Sequence, residues 1–543
     1  MKSRPQRFQD VLIHRRSFLN GGTLAAGALM SGAFSKTWAA PATSDSSGPI
    51  VETTTGKIRG AIQDKVSAFR GVPYGASTAG SGRFMPPEKP QPWTGVKDTV
   101  ELGHRSPQGP SGLIPEVAAT DANEPAGEDC LVLNVWTPSA AAGHKRAVMV
   151  WLHGGGFTSG SGGFKIYDGV NLAGKHDVVV VTINHRLNAF GYLYLADLGG
   201  AKYADSSNVG MLDIVAALEW VRGNIANFGG DPANVTIFGQ SGGAAKVSTL
   251  LAMPSAKGLF HRAVIESGAS LRGIPRDAAN KSTEAFLAKV GVKPDQIDQL
   301  QSLPVDRLTN ALAGGRFGPV VDGKTLPANP FDPAAPEISA SVPLLIGTVQ
   351  TEVTFFPGQQ LDPIDEAALR ERVKQTFRAS DADADRIISV YKKVDPAISN
   401  IDVALESASD SFAWTNAITA AERKAALGKA PVYMYYFKWR SPVREGKLKA
   451  MHCMEIPFVF DNPDAGKSMT GSGEDRYALA ARISGAWVAF ARTGNPSQKG
   501  LAWPAYNSAQ RATMFLDDKC EVVNDPRKEV RLTLASLPAP QAG

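Results

Sequence analysis

The sequence predicts an α/β protein: a mostly parallel central sheet flanked by helices, with a small antiparallel sheet at its N-terminal end. Two observations lead there. Uninterrupted apolar runs at 147–152 (Ala-Val-Met-Val-Trp-Leu) and 178–183 (Val-Val-Val-Val-Thr-Ile) have the composition of parallel strands covered on both faces. Between such runs the apolar period changes to that of helices, and loops rich in Pro and Gly, such as 109–127, separate them.

Each element has its own signal. Residues 51–75 alternate apolar and polar side chains between tight turns, as a small antiparallel sheet would. Ile214, Leu218, Val221 and Ile225 recur at helical spacing and predict an amphipathic helix over 211–225. The run 235–238 returns to strand and is followed by a helical stretch at 244–253. Further strands are expected at 262–265, 343–347 and 432–437, and helices around 280–289 and 366–376. No internal repeat is present.

Composition narrows the class. With 54 Gly and 36 Pro in 543 residues, 43% hydrophobic and 20% charged, the chain is neither collagen-like, coiled-coil nor disordered. The net charge of +5 resides in the first 40 residues, which hold six Lys or Arg against Asp10 alone. Beyond them the two signs balance at 51 each, so the body carries no charge excess that would mark a nucleic-acid partner.

The basic start reads as an address. His14-Arg15-Arg16-Ser17-Phe18-Leu19-Asn20 resembles the twin-arginine export motif, and small residues around Ala39 and Ala40 suit a signal peptidase. The 19 uncharged residues between Arg16 and Lys36 include Gly21, Gly22, Gly27 and Gly32, a poor membrane anchor. The expectation is a leader over 1–40, removed on transport by the twin-arginine machinery, and a single catalytic domain over 41–543 with long loop insertions. The mature protein is then periplasmic or secreted, with no stable membrane anchor. Cys130, Cys453 and Cys520 allow at most one disulfide, and neither they nor the eight scattered His form a metal motif. No metal and no cofactor are expected.

The chemistry centres on Gly239-Gln240-Ser241-Gly242-Gly243, which lies between a strand and a helix. In that setting G-x-S-x-G is a nucleophile elbow, a sharp turn that exposes the serine at a helix N-terminus. Upstream, Trp151-Leu152-His153-Gly154-Gly155-Gly156-Phe157 follows a buried strand and matches an oxyanion loop, in which glycines let backbone N–H groups approach a developing alkoxide. Serine needs a base, and the base needs an acid to hold its tautomer. Only His261 and His452 follow Ser241, and His261 comes too soon to leave room for an acid loop, so His452 is the base. Glu352, just after the strand at 343–347, stands where the acid belongs.

Together these motifs resemble the type-B carboxylesterase, or cholinesterase-like, family. The likeness runs from about residue 50 to 526. It includes Phe69-Arg70-Gly71-Val72-Pro73-Tyr74, Glu128-Asp129-Cys130-Leu131-Val132-Leu133-Asn134-Val135, Asn227-Phe228-Gly229-Gly230-Asp231-Pro232 and His452-Cys453-Met454-Glu455-Ile456-Pro457-Phe458. The resemblance implies the α/β-hydrolase fold and hydrolysis of small-molecule carboxylic esters through an acyl-enzyme. It implies Ser241, Glu352 and His452 as triad, with Gly155, Gly156 and Gly242 as oxyanion donors. It also implies ion pairs Arg83–Glu128 and Arg186–Asp213. An amidase or peptidase would use the same triad, and a non-catalytic binding module of the family would lose triad residues, all of which are present.

The chain departs from the family in five places. Gln240 and Gly242 stand where Glu and Ala are usual, and Ala269 replaces a serine whose hydroxyl can bond that Glu. Cys130 lacks its usual upstream partner, which predicts a buried free thiol. The loop 107–129 contains no Trp, Tyr or Phe, so the aromatic platform for quaternary ammonium groups is missing and choline esters are not expected. A neutral Gln240 should also repel carboxylate-bearing esters less than a Glu would.

Overall fold

The computed structural model describes residues 48–537; the leader read at 1–40, with its cleavage site, lies outside them. Eleven strands form one sheet in the spatial order Glu521–Asn524, Ala512–Leu516, Val432–Phe437, Leu344–Val349, Arg262–Glu266, Gly230–Gln240, Arg146–Leu152, Val179–Ile183, Val132–Thr137, Val66–Pro73, Ala61–Gln63. The seven from Ala512–Leu516 to Val179–Ile183 are parallel, and antiparallel strands extend the sheet at both ends.

The apolar runs are explained by where alternate side chains go. Val148, Val150 and Leu152 join one hydrophobic core, while Met149 and Trp151 join the other, across the sheet. Val179, Val181 and Ile183 likewise face the first core and Val180 the second. A strand covered on both faces has no polar side, so its sequence shows no alternation.

The N-terminal expectation needs one refinement. A small separate sheet is present, but only Ile50–Thr53 and Gly56–Arg59 of the 51–75 stretch belong to it; its third strand is Val96–Asp98, paired parallel. Ala61–Gln63 and Val66–Pro73 instead continue the large sheet. The reason lies in Val66–Pro73: Phe69 and Val72 are fully buried in the main core, and Ala68 on the opposite face, so this strand cannot serve a shallow two-layer ribbon.

Helices close on the expected places: Val209–Asn224, Gly242–Leu250, Arg276–Val290 and Glu366–Phe377. The longest among the described residues, Asp475–Thr493, is missing from the sequence reading although Leu479, Ile483, Trp487 and Phe490 recur at helical spacing on its buried face; apolar Ala478 and Ala481 on the exposed face blur the contrast. Both implied ion pairs are in place. Arg83 grips Glu128 through two bonds of 2.6 and 2.7 Å, and Arg186 grips Asp213 at 2.6 and 2.9 Å. All four side chains are buried, so removing one partner strands the other at a cost of about 3–5 kcal/mol. Cys130, Cys453 and Cys520 are free thiols, and burial pushes that of Cys130 up to about 12.

Candidate active site

Ser241 ends the strand Gly230–Gln240 and caps the helix Gly242–Leu250 with φ +57° and ψ −123°. A non-glycine residue holds such a conformation at a cost of about 1–3 kcal/mol, and only where its surroundings enforce it. Here its N–H donates to the Glu266 carbonyl of the neighbouring strand at 2.9 Å. On the other side the backbone of Leu152–Phe157 is so close that a Cβ on Gly243 would fall 1.9 Å from the Leu152 oxygen, and one on Gly242 2.1 Å from the Gly156 oxygen. The turn is therefore wedged between a strand and the glycine loop.

That loop brings Gly155 and Gly156 to the N-terminus of the serine's helix. Gly155 has φ +85°, and a Cβ there would sit 2.3 Å from the Ser159 oxygen, so glycine is required on two counts. Among the described residues the N–H groups of Gly155, Gly156 and Gly242 donate to no partner outside regular elements. They are free to bind an anion at a helix N-terminus.

Glu352 and His452 arrive on two loops tied together by the Thr351 N–H, which donates to the Ala450 carbonyl at 3.0 Å. His452 Nδ1 lies 2.5 Å from Glu352 Oε2, and Glu352 Oε1 accepts from the Val349 N–H at 3.1 Å. Both carboxylate oxygens are thus satisfied and both side chains are buried. A carboxylate at Nδ1 fixes the proton there and leaves Nε2 as the basic nitrogen. His261, by contrast, accepts from the Val235 N–H at 3.1 Å at the far end of the strand that leads to Ser241.

Gln240, the residue before Ser241, packs its side-chain amide against the imidazole. Its amide nitrogen is 3.2 Å from His452 Nε2, and its Oε1 accepts from the Cys453 thiol at 3.3 Å. Among the described residues Ser241 Oγ has no hydrogen bond to His452. A loose serine–imidazole contact is common before substrate is bound.

Sequence reasoning missed several neighbours. The rings of Phe355 and Phe412 stand edge-on to His452, at 5.2 and 5.6 Å, and Phe356 packs on Phe412 at 5.5 Å. Phe412 is delivered by a π-helical turn, Asp410–Trp414, and remains 44% exposed, an apolar wall beside the imidazole. Below lie two fully buried carboxyls, Glu266 and Glu455. Trp487 Nε1 donates to Glu266 at 2.7 Å, yet burial pushes Glu266 up to about 8. Burial, helped by Glu266 and Glu352, also holds Glu455 well above the usual range, while Ser267 donates to it at 3.1 Å. Ser267 thus reaches a buried glutamate although Ala269 lacks a hydroxyl. No group of three or more His, Cys, Asp or Glu among the described residues could hold a metal ion.

This geometry meets its counterpart in known proteins: the carboxylesterase family model matches residues 47–534. The chain belongs to the carboxylesterase family. It is 37% identical to para-nitrobenzyl esterase of Bacillus subtilis over 498 residues, 89% of this chain and 98% of that protein. It is 32% identical to phenmedipham hydrolase of Pseudarthrobacter oxydans, across 90% and 99% of the two chains. Among solved structures, a carboxylesterase of Geobacillus stearothermophilus superposes with a TM-score of 0.78 at 37% identity, covering 89% of this chain and 99% of that one. The fold of this carboxylesterase is the α/β-hydrolase fold, and its activity is carboxylic ester hydrolysis.

Proposed function

We propose that the protein is an exported serine carboxylesterase working through an acyl-enzyme, with Ser241 as nucleophile, His452 as general base and acid, and Glu352 orienting the imidazole. The observation that carries this reading is the 2.5 Å contact of His452 Nδ1 with buried Glu352, on a ring set beside the strained Ser241 turn. As substrate binds, Nε2 exchanges the Gln240 amide for the serine hydroxyl and takes its proton while Oγ attacks the ester carbonyl. The N–H groups of Gly155, Gly156 and Gly242 stabilise the tetrahedral oxyanion, a donor being worth about 3 kcal/mol. The alcohol departs with the proton from His452, and water repeats the sequence on the acyl-enzyme.

The aromatic wall of Phe355, Phe356 and Phe412 favours an apolar group next to the scissile bond. The name of the para-nitrobenzyl esterase of Bacillus subtilis agrees, since a nitrobenzyl ester carries an aromatic ring. Turnover of a p-nitrophenyl ester should exceed that of the matching anilide by orders of magnitude; comparable rates would make the protein an amidase instead.

Export rests on the motif around Arg15 and Arg16 and on the small residues near Ala40. Replacing both arginines by Lys keeps the charge but should leave the precursor in the cytoplasm, since a receptor reads the pair. Unchanged export of that variant, followed by cell fractionation, would refute the assignment.

A further inference from the structure

Lys246, five residues after Ser241 on the helix Gly242–Leu250, has no part in the mechanism above, yet its surroundings are unusual for a lysine. The side chain is fully buried. Its Nζ donates one hydrogen bond, to the His153 carbonyl at 2.9 Å, and lies 5.6 Å from the centre of the Phe157 ring. Among the described residues no carboxylate comes within ion-pair distance of it. An ammonium buried without a counter-ion opposes folding, so apolar side chains are the rule at such positions.

Its two contacts, His153 and Phe157, bracket Gly155 and Gly156 in the glycine loop. The same loop and helix approach so closely at Gly242 and Gly243 that neither position has room for a Cβ. Lys246 therefore extends a continuous seam between the nucleophile's helix and the loop that carries two of the three oxyanion donors.

We propose that Lys246 is a positioning residue for the oxyanion loop, holding His153 and Phe157 against the nucleophile's helix and adding positive charge behind the hole. The proposal rests on the reading of Ser241 as nucleophile and of Gly155 and Gly156 as oxyanion donors. A charge-assisted bond is stronger than a neutral one, and positive charge behind the hole stabilises the anionic tetrahedral state more than the neutral ester. The effect falls on kcat rather than on KM.

The charge is also adjustable. Burial brings Lys246 down to about 7. The titratable groups facing it are His153 and His185, whose rings stack at 4.9 Å. Burial, then the charge of Lys246, holds both well below the usual histidine range, so they stay neutral. Arg186, next to His185, is committed to Asp213. Lys246 is thus the group here that changes charge near neutrality, and raising the pH through about 7 removes its proton and lowers kcat.

The test is kcat and KM against pH for a p-nitrophenyl ester, with wild type, Lys246→Met and Lys246→Gln. Wild type should show a descending limb in kcat near pH 7. Lys246→Met should lose that limb and about tenfold to a hundredfold in kcat at pH 6, with KM within about twofold. Its melting temperature should hold or rise, because Met fills the same space without the ammonium. Lys246→Gln, able to bond the His153 carbonyl but uncharged, should recover part of kcat and also lack the limb.

A folded Met variant with wild-type kcat, or either variant keeping the descending limb, would overturn the proposal. So would a wild type without a limb there, which needs no variant to fold. A purely structural lysine would instead lower the melting temperature of Lys246→Met and leave the pH profile in place. Failure of the underlying reading looks different: Ser241→Ala would keep its turnover, whatever the Lys246 variants do.

Discussion

The two halves of the candidate site are built from different materials. On the oxyanion side, backbone meets backbone: the loop at 153–157 lies on the helix Gly242–Leu250 at distances that exclude a Cβ. On the base side, side chains meet side chains: His452 is held by Glu352, screened by Gln240 and walled by Phe355 and Phe412. The first half owes its geometry to glycines that are close in sequence to each donor. The second is assembled from loops a hundred residues apart in sequence. Precision comes from steric exclusion in one case and from hydrogen bonds between buried polar groups in the other.

The comparison breaks most visibly if each half is damaged alone. Glu352→Gln keeps the shape of the acid but lets the imidazole adopt the wrong tautomer, and should lower kcat about 10³- to 10⁴-fold with normal folding. Gly155→Ala forces a Cβ to within 2.3 Å of the Ser159 oxygen at φ +85°, displacing the donors. It should cost about 10²- to 10³-fold. Steady-state kinetics of both variants, with circular dichroism to verify folding, would rank them; a larger loss for Gly155→Ala would invert the proposed weights.

A subtler change sharpens the base side. A carboxylate in place of the Gln240 amide, 3.2 Å from His452 Nε2, favours the protonated imidazole. Gln240→Glu should therefore move the acidic limb of the kcat/KM profile to higher pH, by about one unit. If the limb stays or moves down, the electrostatic account of this position is wrong. The bonds that Gln240 makes to His452 and Cys453 would then be its whole role.

The same contrast governs what could be read in advance. The central strands were legible because both faces are buried, and the elbow and the glycine loop because their steric demands are written as residue types at fixed spacing. His452 followed from chain order once His261 was eliminated, and the structure sets its ring 2.5 Å from Glu352. Phe412 left no trace, since only a π-helical turn aims it at His452. Glu266, Glu455 and Lys246 were visible as charged residues, but their burial is a property of the fold, and a sequence gives an isolated charge on a helix the appearance of a solvated one. Strand Glu521–Asn524 escaped for the opposite reason: it is the exposed edge of the sheet and carries little apolar signal.

The central claim is that one serine, on the strained turn, is the activated nucleophile. Reaction of the full-length protein with a fluorophosphonate, followed by intact-mass measurement and peptide mapping, tests it directly, because only an activated hydroxyl reacts at neutral pH. The account predicts one adduct per chain, on Ser241, and none in Ser241→Ala. An adduct on any other serine, or stoichiometric labelling of Ser241→Ala, would contradict it.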